Sequence, residues 1–147
     1  MGLVVIDEKA LAEQADTPLV FWTQQVAQAS RVLREVGASV VGLDVMFSVS
    51  PEAWLRRIGA TGLAADHDRA LREEIATGRL VLAASASTGP NGRTDLLLPN
   101  ADLVVSVPDL DLSRHMGLTD MVADADGTVR RFHVAPPLKL ANDDTFS

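Results

Sequence analysis

The chain has 147 residues, 47% of them hydrophobic and 22% charged, which fits one globular domain with its own core and excludes wholesale disorder. Its 20 acidic and 13 basic residues give a net charge of −7, which disfavours a nucleic-acid or anionic-membrane surface. It has no cysteine, so thiol catalysis, thiolate metal sites and disulfides are excluded.

The run Gly2-Leu3-Val4-Val5-Ile6-Asp7 is apolar and β-branched and predicts a buried strand ending in an acid. This start has no basic n-region, so it is not a signal peptide, and it reads as a fragment boundary. Asp16-Thr17-Pro18 marks a turn. Trp22, Val26, Ala29, Leu33 and Val36 then recur at helical spacing, and Gly37 supplies a stop. Residues 39–47 predict a second strand, so strand, helix and strand form a βαβ unit with parallel pairing and a right-handed crossover. The longest mostly apolar stretch, residues 36–47, is too short to span a membrane and contains Asp44.

Ser50-Pro51-Glu52 opens a helix: serine caps, proline suits the first position and glutamate complements the dipole. Trp54, Leu55 and Ile58 form its apolar face. Asp66 predicts the cap of a further helix with Ala70, Leu71 and Ile75 inward and Gly78 as its stop. Residues 80–85 predict a third buried strand, residues 88–93 a loop, and residues 96–99 a short edge strand. Residues 102–106 fit a strand or a helix equally. Residues 116–122 and 128–135 flank Asp124-Ala125-Asp126-Gly127, a hairpin signal. Together these elements predict an α/β fold in three layers, with a mixed, mostly parallel central sheet, flanking helices and a C-terminal β-hairpin.

Asp7 and Asp44 each end a predicted parallel strand, where open α/β sheets hold their ligands. Two carboxylates there would bind a divalent cation or a cationic ligand, or each would simply cap the turn that follows it. Asp124 and Asp126 resemble part of a calcium loop. Counting from Asp124 puts Gly127 at position four and Ala135 at twelve, where glycine six and glutamate twelve are required, so a turn fits better. Arg130 and Arg131 face opposite sides of the returning strand, and one of them needs a carboxylate partner or an anion. The run Gly59-Ala60-Thr61-Gly62 lacks the preceding strand that a dinucleotide motif requires. His67, His115 and His133 lack metal-ligand spacing, and no serine sits in a nucleophile elbow. Nothing calls for a cofactor.

Four segments in order resemble the second type of CHASE domain, the cyclase/histidine-kinase associated sensory extracellular module. They are Val4-Val5-Ile6-Asp7-Glu8; residues 33–47 with Val41-Gly42-Leu43-Asp44-Val45-Met46-Phe47; Asp66-His67-Asp68-Arg69-Ala70-Leu71 followed by Arg79-Leu80-Val81-Leu82-Ala83; and Met116-Gly117-Leu118-Thr119 leading to residues 124–131. Thr17-Pro18-Leu19-Val20-Phe21-Trp22 stands where the family often has a Trp/Pro-rich segment ending in arginine. The family usually continues with another helix and further strands, so the resemblance implies a single sensor domain over residues 1–147 that is incomplete at its C-terminal side.

The resemblance implies an extracytoplasmic input module of a membrane-anchored bacterial signalling protein. It would relay a small-molecule or protein signal to a nucleotide cyclase, a histidine kinase or a similar output, with a homodimer as one possible assembly. The expected responsive site is the carboxyl edge of the sheet: Asp7, Asp44, Asp124, Asp126 and Arg130. The alternatives are a small metal-dependent hydrolase using Asp7 and Asp44, and a ligand-free dimerisation domain.

Overall fold

A computed structural model describes residues 1–88, 94–104, 115–119 and 126–127. Its spine is β2 (Leu80–Thr88), the apolar run in which the third strand is expected. Three strands share β2. Strand β1 (Val41–Gly42) runs parallel beside Leu80 and Val81, and β4 (Met116–Leu118) runs parallel beside Leu82 to Ala84. Strand β3 (Thr94–Leu97) returns antiparallel along Ser85 to Thr88. The sheet is therefore mixed and mostly parallel within an α/β fold, as the sequence predicts. The expected C-terminal hairpin lies outside the described residues, except that its first arm begins as β4 and that Gly127 has the positive φ, 77°, of a turn glycine.

The helices are short and capped as their residues dictate. In α1 (Glu8–Glu13) the Asp7 carboxylate accepts the Ala10 N–H at 2.8 Å. In α3 (Pro51–Arg57) the Ser50 hydroxyl accepts the Ala53 N–H at 3.1 Å, with proline in the first turn. Helix α2 (Thr23–Glu35) ends before Gly37, whose φ of 102° only glycine adopts without strain. Short α4 (Thr61–Ala64) leads to α5 (Arg69–Ala76), and residues 102–104 of the segment that fits strand or helix are helical, in α6 (Ala101–Val104), with Leu103 buried.

Helix α2 packs chiefly on α5, and both lie against the sheet. Val26, Ala27, Val41, Phe47, Leu71, Ile75, Leu80, Leu82 and Leu103 form the core. The buried stripe of α2 differs from the expected one. Thr23, Val26, Ala27 and Ser30 are buried, while Ala29 and Val36 are exposed. The helix is rotated because Thr23 has a polar partner inside, described below.

Two further expectations change. Residues 2–7 form an exposed arm rather than a buried strand, and Asp7 begins a helix rather than ending a strand. The expected strand over residues 39–47 pairs only at Val41 and Gly42, and the chain beyond runs as a loop.

The α2–α5 contact carries a charge clamp. Glu74, with a 4% exposed side chain, accepts from Arg31 Nε at 3.1 Å and from Arg34 Nε and Nη2 at 2.9 and 3.0 Å. The Arg34 hydrogen bond outweighs burial and, with Arg31, holds the Glu74 carboxyl below its usual range near 4.5. A depressed carboxyl stabilises the fold above its unfolded pKa, and that contribution is lost as pH falls through the folded value. Glu74→Gln is therefore expected to cost about 1–2 kcal/mol at pH 7, where it weakens charge-assisted hydrogen bonds. Melting curves of both proteins from pH 7 down to pH 3 check this: the gap between them should close as Glu74 protonates. A gap independent of pH would mean that the clamp contributes no charge term.

Candidate functional site

Past β1 the chain enters a loop over residues 43–50, at the carboxyl end of a parallel strand. This is where open α/β sheets place ligands. Val45, Met46, Phe47 and Ser48 of this loop face Leu19 and Val20, and together they line a groove of about 190 Å³. Leu19 and Val20 belong to a single 3₁₀ turn, Leu19–Phe21. Pro18 precedes that turn, and the Trp22 indole N–H donates to the Thr17 carbonyl at 2.8 Å, fixing it. Phe21 stands edge-on to Trp54 and to His67.

The loop is braced at two points. The Asn100 N–H donates to the Phe47 carbonyl at 2.7 Å, and the Asn100 amide reaches the Ser48 carbonyl at 3.4 Å. Two residues on, Ser50 is tied to the interior. Its hydroxyl donates to Asp68 Oδ2 at 2.8 Å, the Glu52 N–H donates to the same oxygen at 3.1 Å, and the Thr23 hydroxyl donates to Oδ1 at 3.0 Å. Asp68 is fully buried and joins the starts of α2, α3 and α5. Buried carboxylates persist only when fully hydrogen-bonded, and three donors meet this one. Beside it, the buried Glu52 pairs with Arg72 at 2.9 Å and with Arg56.

Apart from Ser48, the groove lining is apolar. At this volume, smaller than the roughly 300–1,000 Å³ of a ligand cleft, it would take a few apolar heavy atoms such as a side chain or a short alkyl group.

Of the expected site residues, Asp44 lies at the start of this loop, exposed and next to the groove-lining run. Asp7 is spent on its helix cap, the turn-capping alternative weighed for it. Asp126 is exposed, and Asp124 and Arg130 lie outside the described residues. Among the described residues no group of three or more metal-ligating side chains assembles. The Gly59-Ala60-Thr61-Gly62 run follows a helix, α3, which is the wrong context for a dinucleotide. Asp68 is the residue that sequence reasoning passed over. Asp66 takes the left-handed turn, φ 59°, that places Asp68 rather than itself at the head of α5.

The family model of the CHASE2 domain matches residues 2–145. The chain belongs to the CHASE2 family. No curated protein and no solved structure matches it. CHASE2 domains are extracellular sensory domains of signalling proteins. The segments that resemble the CHASE2 pattern now have places in the fold. Residues 4–8 are the exposed arm and the α1 cap; residues 33–47 are the end of α2, β1 and one wall of the groove; residues 66–71 hold Asp68; residues 79–83 carry β2. Among the described residues no helix is long and apolar enough to cross a membrane.

Proposed function

We propose that this CHASE2 domain is the input module of a membrane-bound bacterial signalling protein, held on the periplasmic side of the cytoplasmic membrane. The family match over nearly the whole chain carries this reading. A small molecule or a protein would be the signal, received at the loop after β1 with Asp44 at its mouth. The output would be a nucleotide cyclase, a histidine kinase or a similar catalytic domain. Relay is by population shift: an input favours one of two conformations, and the difference in affinity sets the size of the signal.

The coding sequence on either side of the domain tests the proposal. Apolar spans of about 20 residues are expected next to the domain, with a cyclase or kinase domain beyond them. Flanks with neither an apolar span nor an output domain would reject it.

A further inference from the structure

Charge and exposed apolar surface are both unevenly spread over this chain. From Val45 to Ala65 the only acid is Glu52, although the chain holds 20 acids. Glu52 is buried, with a 6% exposed side chain, and is held by Arg72 and Arg56. The exposed charges of this stretch are therefore two cations, Arg56 and Arg57, in the last turn of α3. Arg57 enters no ion pair among the described residues. Asp66, just past the stretch, pairs with Arg69 at 3.5 Å.

The same stretch exposes large apolar side chains. Trp54 is 42%, Ile58 56% and Leu63 72% exposed. Trp54 and Ile58 stand one turn apart and share a face of α3. Leu63 projects from α4, which packs on α3. Leu55 and Ala64 of the same two helices are buried, so the exposed set is what remains after the core is built. Other exposed apolar residues have an acid close by in the chain: Leu11 lies between Glu8 and Glu13, Val36 follows Glu35, and Leu97 is two residues from Asp95. A single exposed leucine needs no explanation, but Trp, Ile and Leu together with exposed arginines make a distinct corner on a chain of net charge −7. That composition suits a bilayer surface. A Trp ring sits at headgroup level, apolar side chains enter beside it, and arginines meet phosphates. An anionic surface repels the acidic remainder of the molecule, which turns this corner toward it.

We propose that the α3–α4 corner, through Trp54, Arg57, Ile58 and Leu63, rests on an anionic phospholipid surface. The contact orients the domain on a membrane, whereas flanking spans would only tether it. The inference goes beyond the sensory reading and does not depend on it. Phe21 stands edge-on to Trp54, with ring centroids 5.5 Å apart, and belongs to the 3₁₀ turn whose Leu19 and Val20 line the groove. Lipid contact at Trp54 is thus one side chain away from the groove wall.

Phosphatidylcholine vesicles with and without phosphatidylglycerol test it on the wild-type chain. Trp22 is 5% exposed, so a change in tryptophan emission reports Trp54. Vesicles containing phosphatidylglycerol are expected to shift the emission to shorter wavelength, and brominated acyl chains to quench it. Ile58→Asp/Leu63→Asp should weaken binding at least about tenfold. Arg57→Gln should weaken it about fivefold, with less effect on phosphatidylcholine alone. The substituted side chains are exposed, and melting curves report whether the fold is kept; if the double variant melts low, the Arg57→Gln ratio decides. Absence of a spectral shift, binding that ignores Arg57→Gln, or equal binding to phosphatidylcholine alone overturns the proposal. A lipid-free, concentration-dependent dimer that the double variant dissolves overturns it too, by assigning the corner to a second copy.

Discussion

Asp68→Ala is expected to lower stability by about 3–5 kcal/mol, because it leaves the Thr23 and Ser50 hydroxyls and the Glu52 N–H without their buried acceptor. For a chain of this size the melting temperature should fall by about 6–20 °C. Asp68→Asn retains one acceptor but turns an NH2 group onto a donor, so it should lie between alanine and the wild type. A double-mutant cycle with Thr23→Val separates the hydrogen bond from simple loss of packing, with a coupling of at least about 0.5 kcal/mol expected. Thermal and urea unfolding of the five proteins measure these values. A loss under about 1 kcal/mol for Asp68→Ala would mean that water reaches the carboxylate and that the three helix starts are not tied through it.

Leu71→Ala is the second large effect. Leu71 is fully buried on α5, within the cluster that includes Val26, Phe47, Ile75 and Leu82. Truncation removes its transfer free energy and leaves a cavity, together costing about 2–5 kcal/mol. Leu63→Ala on α4, where the side chain is 72% exposed, should stay within about 0.5 kcal/mol of the wild type. Urea unfolding should show a lower midpoint for Leu71→Ala with an unchanged slope. Equal effects at the two positions would contradict the packing of α5 against α2 and the sheet.

The sequence reading works where the signal is local. The apolar run of β2 needs no partner to be recognised, and Ser50-Pro51 and Gly37 mark helix ends by backbone chemistry alone. It fails where the deciding contact is distant. An apolar run states that residues 2–6 are suited to burial, but not whether an edge receives them. The α2 stripe is displaced because Thr23, a polar residue that an apolar pattern skips, is drawn inward by Asp68 from 45 positions away. Asp68 itself follows Asp66 and His67 at a helix start, where any acid reads as a cap, and nothing nearby reveals that its acceptors are turned inward. For the candidate site, strand-end logic points to the loop after β1, and Asp44 lies exposed at the start of that loop. The groove itself needs Leu19 and Val20, which come from a turn that carries no chemical signal.

The way β2 shares its neighbours has a kinetic consequence. The antiparallel partner β3 is close to β2 in the chain, so that pairing closes a short loop and should form early. Strand β1 reaches β2 past α3, α4 and α5, and closing that span carries the larger entropy. The groove loop begins where β1 ends. Its position therefore depends on one of the long-range steps of folding, and in refolding from denaturant β2 and β3 are expected to pair before the groove is in place.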